Sequence, residues 1–236
     1  MLKKKRAWPL KTPAVAGVIV DGVKKGTLKK TLLNGADCLE VRVDTFAVRD
    51  LDALKEGVGR LKESAGVPLI ITVRSRKEGG GRSMPDNRRA EIFKALMPFA
   101  GIVDIELSSS GGLLKDVIDC AKRSGKGVIV SYHNFKTTPG IDTLDALIKK
   151  ARSSGADVVK IAAFARGTKD LRRLAGVLAG SDDLIVIAMG RYGAFTRIFF
   201  PMLGSLLTYG SITDGTAPGQ LPLKEITGEL RRYGFR

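Results

Sequence analysis

The chain reads as a single closed (β/α)8 barrel, an α/β fold, and three observations predict it. Short runs rich in Val and Ile alternate with longer amphipathic stretches along the length of the chain. The runs are apolar at successive positions, the pattern of strands covered on both faces and hence of a parallel sheet. Eight such units fit into 236 residues, a length that suits one α/β barrel better than an open doubly wound sheet.

Taken in order, strands are expected over residues 14–20, 38–43, 69–73, 102–107, 128–132, 158–163, 184–188 and 206–212. Helices are expected over 22–33, 51–64, 86–99, 113–123, 143–152, 169–178, 195–202 and 223–232. Asp142 is placed to cap the fifth helix, and Gly125 and Gly155 to stop the fourth and fifth. No linker or shift in composition divides the chain, so one domain over residues 1–236 is expected.

Composition narrows the class of protein. Hydrophobic residues make up 44% and charged residues 27%, ordinary values for a globular chain and against disorder. The apolar runs are too short to cross a membrane, and the basic start lacks the apolar segment of a secretory signal. Cys38 and Cys120 lie far apart with no metal-ligand spacing, which predicts reduced thiols and a cytoplasmic setting. The net charge of +16 is the signature of a nucleic-acid binder, but the basic residues are dispersed and aromatics are only 6%. A solvated basic surface that also draws small anions is the favoured reading, without a nucleic-acid partner.

In a barrel of this kind chemistry belongs at the C-terminal ends of the strands. Lys160 lies at the centre of the sixth strand, Asp157 to Ala163. Stripped of water, a lysine loses its proton readily and becomes a nucleophile toward ketones; at a strand end it would instead extend its ammonium into solvent. One strand earlier, the run from Val128 delivers His133, the single histidine, to the same mouth. A nucleophilic amine beside a group that shuttles protons is the minimum equipment for imine chemistry.

Other polar residues converge there. Glu40, Arg42 and Asp44 alternate with apolar residues, so they share a face. An internal ion-pair layer with Arg74 and a polar ligand both account for them. Arg74 to Gly81 ends in three glycines, which allow positive φ and close backbone approach and suggest a flexible loop, but not a phosphate cradle, since no Lys-Ser/Thr follows. Arg197 begins a helix after a second glycine loop and suits a carboxylate, while the segment Thr216 to Gln220 reads as a lid. Metal-ligand clusters and a dinucleotide fingerprint are missing from the sequence.

The blocks Glu40-Val-Arg42-Val-Asp44, Arg74-Ser-Arg-Lys-Glu78-Gly-Gly, Asp104-Ile-Glu106-Leu, Ser131-Tyr-His133-Asn-Phe, Val159-Lys160-Ile-Ala, Met189-Gly to Arg197 and Ala217-Pro-Gly-Gln220 occur in order on successive strand ends. In this the chain resembles the type I 3-dehydroquinate dehydratases, from the second strand to the eighth. The resemblance implies elimination of water from 3-dehydroquinate through a lysine imine, without metal or organic cofactor, in a cytoplasmic homodimer. It implies that Lys160 forms the imine, that His133 is the general acid and base, and that Glu78 orients it. Arg197 would hold the substrate carboxylate, and Glu40, Arg42, Arg74, Thr216 and Gln220 the rest of the substrate. Thr196 and Thr216 stand where such enzymes more often have serine. The resemblance places the homodimer contacts on the seventh and eighth units, where Phe195, Ile198, Phe199, Phe200 and Met202 supply apolar surface, although barrel packing would use the same residues. An aldolase-type imine barrel is the enzymatic rival, set apart by the arginine and lid, which suit a carboxylate and hydroxyls.

Overall fold

The computed structural model describes residues 8–212 and 218–236. Eight parallel strands, each followed by a helix, form one barrel. They are β1 (Ala14–Ile19), β2 (Cys38–Arg42), β3 (Leu69–Thr72), β4 (Ile102–Glu106), β5 (Gly127–Asn134), β6 (Val158–Phe164), β7 (Leu184–Met189) and β8 (Leu207–Ser211). The helices are α1 (Lys25–Leu33), α2 (Leu51–Ala65), α3 (Asp86–Leu96), α4 (Gly111–Arg123), α5 (Ile141–Ser153), α6 (Thr168–Ala179), α7 (Gly193–Met202) and α8 (Leu223–Arg232).

Neighbouring strands pair in sequence order, and β8 returns to pair with β1. The seam between β7 and β8 is closed differently. The backbone N–H of Leu206 donates to Leu184 O at 2.9 Å, and that of Val186 to Ser205 Oγ at 3.0 Å.

Strand periodicity divides the interior in two. Val41, Ile71, Val103, Val130, Ile161 and Val186 point outward and bury against the helices. Their alternate neighbours, including Ile70, Ile102, Ile129, Val158, Ile185 and Leu207, fill the barrel. Trp8, Leu10 and Leu206 pack on that inner cluster. Burial on both faces is why these strands read as unbroken apolar runs.

The same two-residue step fixes the site. Counting from inner Cys38, Ile70, Ile102, Ile129 and Val158, the next inward positions are Glu40, Thr72, Asp104, Ser131 and Lys160. One step further come Arg42, Arg74, Glu106, His133 and Ala162. The lower barrel is therefore hydrocarbon and the upper barrel is charged.

Some helix ends follow local side-chain and glycine chemistry. Asp50 caps α2 by accepting from Ala53 N at 2.8 Å, and Gly125 and Gly155 follow α4 and α5 in the left-handed region, at φ 66° and 105°. Asp142 is not the cap of α5. The extended Gly140 takes that position without a side-chain bond, and Asp142 falls in the first turn, facing the positive end of the helix. The third helix is also shorter than expected, because Pro98 lies in a separate 3-10 turn, Met97–Phe99.

Candidate active site

One cavity at the C-terminal mouth is lined by Glu40, Arg42, Arg74, Glu78, His133, Lys160, Arg197 and Gln220. These are all of the expected site residues but Thr216, which lies outside the described residues. The sequence spreads them over some 180 positions, and closure of the barrel gathers them.

Lys160 does not extend into solvent. It is 5% exposed, with Nζ 3.0 Å from Asp104 Oδ2 and 3.7 Å from Glu40 Oε1. Glu40 also accepts from Thr72 Oγ1 at 3.0 Å. Asp104 is fully buried, and its Oδ2 also faces Arg74 Nη2 at 2.9 Å. Its Oδ1 accepts from Ser131 Oγ at 2.6 Å. Burial alone would raise the Asp104 carboxyl, but Arg74 and Lys160 outweigh it and hold the group well below the usual carboxylate range. Asp104 is thus a fixed anion shared by two cations.

Arg74 is the second centre of this layer. Its Nη1 donates to Glu106 Oε1 at 3.0 Å and to Ser131 Oγ at 2.7 Å. Glu106 in turn accepts from Ser75 N at 2.8 Å and from the buried Arg89. The expected internal ion-pair layer therefore exists, but Arg74 finds its carboxylates on β4 and not on β2. Arg42 closes on its neighbour Asp44, Nε to Oδ1 at 2.9 Å and Nη2 to Oδ2 at 2.8 Å. The short 3-10 turn Val43–Thr45 makes that near-planar pairing possible.

His133 and Glu78 meet at the rim of the same cavity. Glu78 Oε2 accepts from the backbone N–H of His133 and lies against its Nδ1, both at 2.9 Å. Ser108 Oγ donates to the other carboxylate oxygen. Burial first, then the cations Arg74 and Lys160, hold the imidazole well below its ordinary value. It is therefore neutral near pH 7, and with Nδ1–H directed at Glu78 Oε2 the Nε2 lone pair can act as base. Burial also pushes the Glu78 carboxyl up, against the Ser108 bond and Arg74.

The glycines after Glu78 serve close packing, not freedom. Gly79 has φ 85°, and a Cβ there would meet the Phe135 ring at 2.6 Å. A Cβ on Gly80 would sit 2.2 Å from Arg74 O. Gly81 N donates to Asp44 Oδ2 at 2.9 Å, so the loop is pinned to the β2 side of the site.

Arg197 enters from α7, one turn past its N-terminal Gly193. Its Nη1 donates to Gly193 O at 3.1 Å and Gly219 O at 3.0 Å, while Nε is buried with no hydrogen-bond partner. Burial lowers its pKa to about 10. Thr196 turns the other way, accepting from Ala188 N at 3.2 Å, and so ties α7 to β7. Phe200 likewise faces inward at 1% exposure, so of the two uses open to it, barrel packing takes it.

Two groups at the site were missed in the sequence. Asp104 was visible only as one acid of the Asp104–Glu106 alternation, with nothing to tie it to Lys160 56 residues away. Tyr209 lay inside an apolar strand and resembles ordinary core. Among the described residues no three His, Cys, Asp or Glu side chains converge as a metal-ligand set.

Fold and site together define a (β/α)8-barrel enzyme whose mouth holds a buried lysine, a neutral histidine and an incompletely partnered arginine. Comparison with known proteins fixes the family. The family model for type I 3-dehydroquinase matches residues 24–234. The 3-dehydroquinate dehydratase of Methanosarcina barkeri is 35% identical over 225 residues, covering 92% of this chain and 93% of its own. That of Aquifex aeolicus is 38% identical over 210 residues, covering 89% and 93%. The crystal structure of the Aquifex aeolicus enzyme superposes with a TM-score of 0.84 at 35% identity, covering 94% of this chain and 99% of that one. The chain belongs to the type I 3-dehydroquinase family.

Proposed function

We propose that the protein removes water from 3-dehydroquinate to give 3-dehydroshikimate, through an imine on Lys160. The observation that carries this reading is the juxtaposition in one cavity of Lys160, the His133–Glu78 pair and Arg197. The crystal structure of the related Clostridium difficile enzyme, 26% identical with a TM-score of 0.85, contains covalently modified comenic acid. That supports covalent chemistry in the family.

In this mechanism the Lys160 ammonium must first lose a proton. Asp104 is a poor acceptor because two cations stabilise its charge, whereas Glu40, at 3.7 Å, lies outside the Arg74 pair. The free amine adds to the C3 carbonyl, and water leaves the resulting carbinolamine with protons managed by His133. The protonated imine draws electrons from the adjacent C2–H bond. Neutral His133 takes that proton, then returns it to the C1 hydroxyl as the C1–O bond breaks on the same face. Hydrolysis of the imine restores the amine and releases the product. One residue serves as base and then acid because the proton it takes from C2 makes it the imidazolium that the leaving hydroxyl needs.

Arg197 binds the substrate carboxylate through the face that carries its unpartnered Nε, an arrangement that relieves its desolvation. Glu40, Arg42, Thr216 and Gln220 bind the remaining substrate groups. Arg74 lines the same cavity, but with Nη1 and Nη2 engaged its main contribution is to hold Asp104 and Glu106. No metal or organic cofactor enters these steps. We further propose one catalytic domain spanning residues 1–236, a cytoplasmic setting, and a homodimer joined through the exposed side of α7 and α8. Phe195 and Leu203 are 45% and 57% exposed there, and Phe195 stacks on Phe199 at 4.4 Å. Mass measured by light scattering tests the dimer; a monomer at micromolar concentration contradicts it.

The test of the function is an ultraviolet assay for a conjugated enone formed from 3-dehydroquinate. Absorbance should rise with the wild-type chain and not with Lys160→Ala. No rise with wild type, or an equal rise with Lys160→Ala, would remove the proposal.

A further inference from the structure

The Lys160 ammonium has a third neighbour besides its two carboxylates. Tyr209 on β8 points into the barrel, and Nζ stands over its ring, 4.0 Å from the centroid. Tyr209 is 4% exposed and lines the cavity. Its hydroxyl is buried without a hydrogen-bond partner. An unpaired buried hydroxyl destabilises a fold, so the hydroxyl is not what anchors this side chain. What the geometry uses is the face of the ring.

An aromatic face attracts a cation, and more strongly when water is excluded. At rest the ammonium also has Asp104 and Glu40. During turnover that balance changes. A protonated imine keeps its positive charge on the same nitrogen but has one N–H in place of three, so it cannot bond both carboxylates at once. The ring face asks for no hydrogen and holds either form.

We propose that the Tyr209 ring is a cation-holding surface for Lys160 Nζ, serving the ammonium at rest and the protonated imine during elimination. The imine half of this inference rests on the function proposed above; the ammonium half does not. The charged groups that share the surroundings of Nζ are Asp104 from β4, Glu40 from β2, Arg74 beyond β3 and His133 from β5, with Arg42 and Arg197 on the same cavity wall. A loss of charge attraction at the ring must therefore be read with all of these left in place.

Substitution by phenylalanines of increasing ring fluorination meets that condition. The shape stays the same while the negative ring face is progressively withdrawn. Tyr209→Phe should keep kcat within about threefold, since the ring face remains. Each added fluorine should then lower kcat stepwise, reaching about 3- to 30-fold in the full series, with KM little changed. In the same series the pH midpoint for modification of Lys160 by an amine-directed reagent should move down, since the ammonium loses a stabilising neighbour. Packing alone would move neither quantity in order of fluorination. If kcat and the midpoint are flat across the series, the ring is only a wall. If Tyr209→Phe already abolishes turnover, the hydroxyl is the working group and the proposal is wrong. Borohydride trapping on the wild-type chain separates the two readings. Without an adduct the imine fails, while the modification midpoint still reports on the ring.

Discussion

Replacing Asp104 by asparagine keeps the shape of the side chain and removes the charge on which two buried cations depend. Its Oδ2 lies 2.9 Å from Arg74 Nη2 and 3.0 Å from Lys160 Nζ. Removing one partner of a buried ion pair costs about 3–5 kcal/mol, because the other charge stays behind unpaired. Here Glu106 remains 3.0 Å from Arg74 and Glu40 remains 3.7 Å from Lys160, so the lower end applies. A loss of about 3 kcal/mol in a chain of this size lowers Tm by about 6–12 °C. The pH dependence gives the argument a sign. Asp104 is held below the usual carboxylate range in the fold, so the unfolded chain takes up its proton first. Its stabilisation is complete above about pH 4 and is lost as pH falls below that. Calorimetry on Asp104→Asn should therefore show a Tm gap that is constant from pH 7 to pH 5 and closes in acid. An unchanged Tm at pH 7, or a gap that widens on acidification, would refute the shared-anion account.

Three other outcomes follow from the same geometry. Arg197→Ala should raise KM by about 10- to 100-fold, the worth of a charge-assisted contact, with a smaller change in kcat; steady-state kinetics showing an unchanged KM would remove Arg197 from carboxylate binding. Because burial lowers its pKa to about 10, affinity for a carboxylate inhibitor should fall as pH rises through that region, which titration calorimetry can follow. His133 is held well below its ordinary value, so kcat/KM should stay flat as pH falls through 6.5 and decline only in more acid solution. His133→Ala should lose at least about 100-fold in kcat, and a wild-type profile that falls near pH 6.5 would contradict a neutral resting imidazole.

The barrel was legible because strand periodicity and glycine stops are local signals. Every strand and helix expected from the chain is present, with boundaries off by a few residues where Pro98 and Gly140 override the wider pattern. Much of the site was legible for the same reason. Once Ile129 and Val158 point inward, Ser131, His133 and Lys160 must also point inward. What the chain could not disclose is pairing between strands. Arg74 has acids available on β2 and on β4, and only the register of the closed barrel decides that Asp104 and Glu106 receive it. The same holds for Lys160 and Tyr209, which meet across the barrel interior and not along a strand. The glycine loop was legible in its close packing: Gly79 takes a positive φ, and Gly80 and Gly81 let the backbone approach Arg74 and Asp44.

Covalent attachment to Lys160 is the claim on which the rest depends. Sodium borohydride added during turnover of 3-dehydroquinate reduces any imine to a stable secondary amine. Peptide mass spectrometry should then find the substrate-derived mass on the peptide containing Lys160, and no such mass in Lys160→Ala. Turnover that proceeds with Lys160 unmodified, or an adduct on a different lysine, would contradict the account.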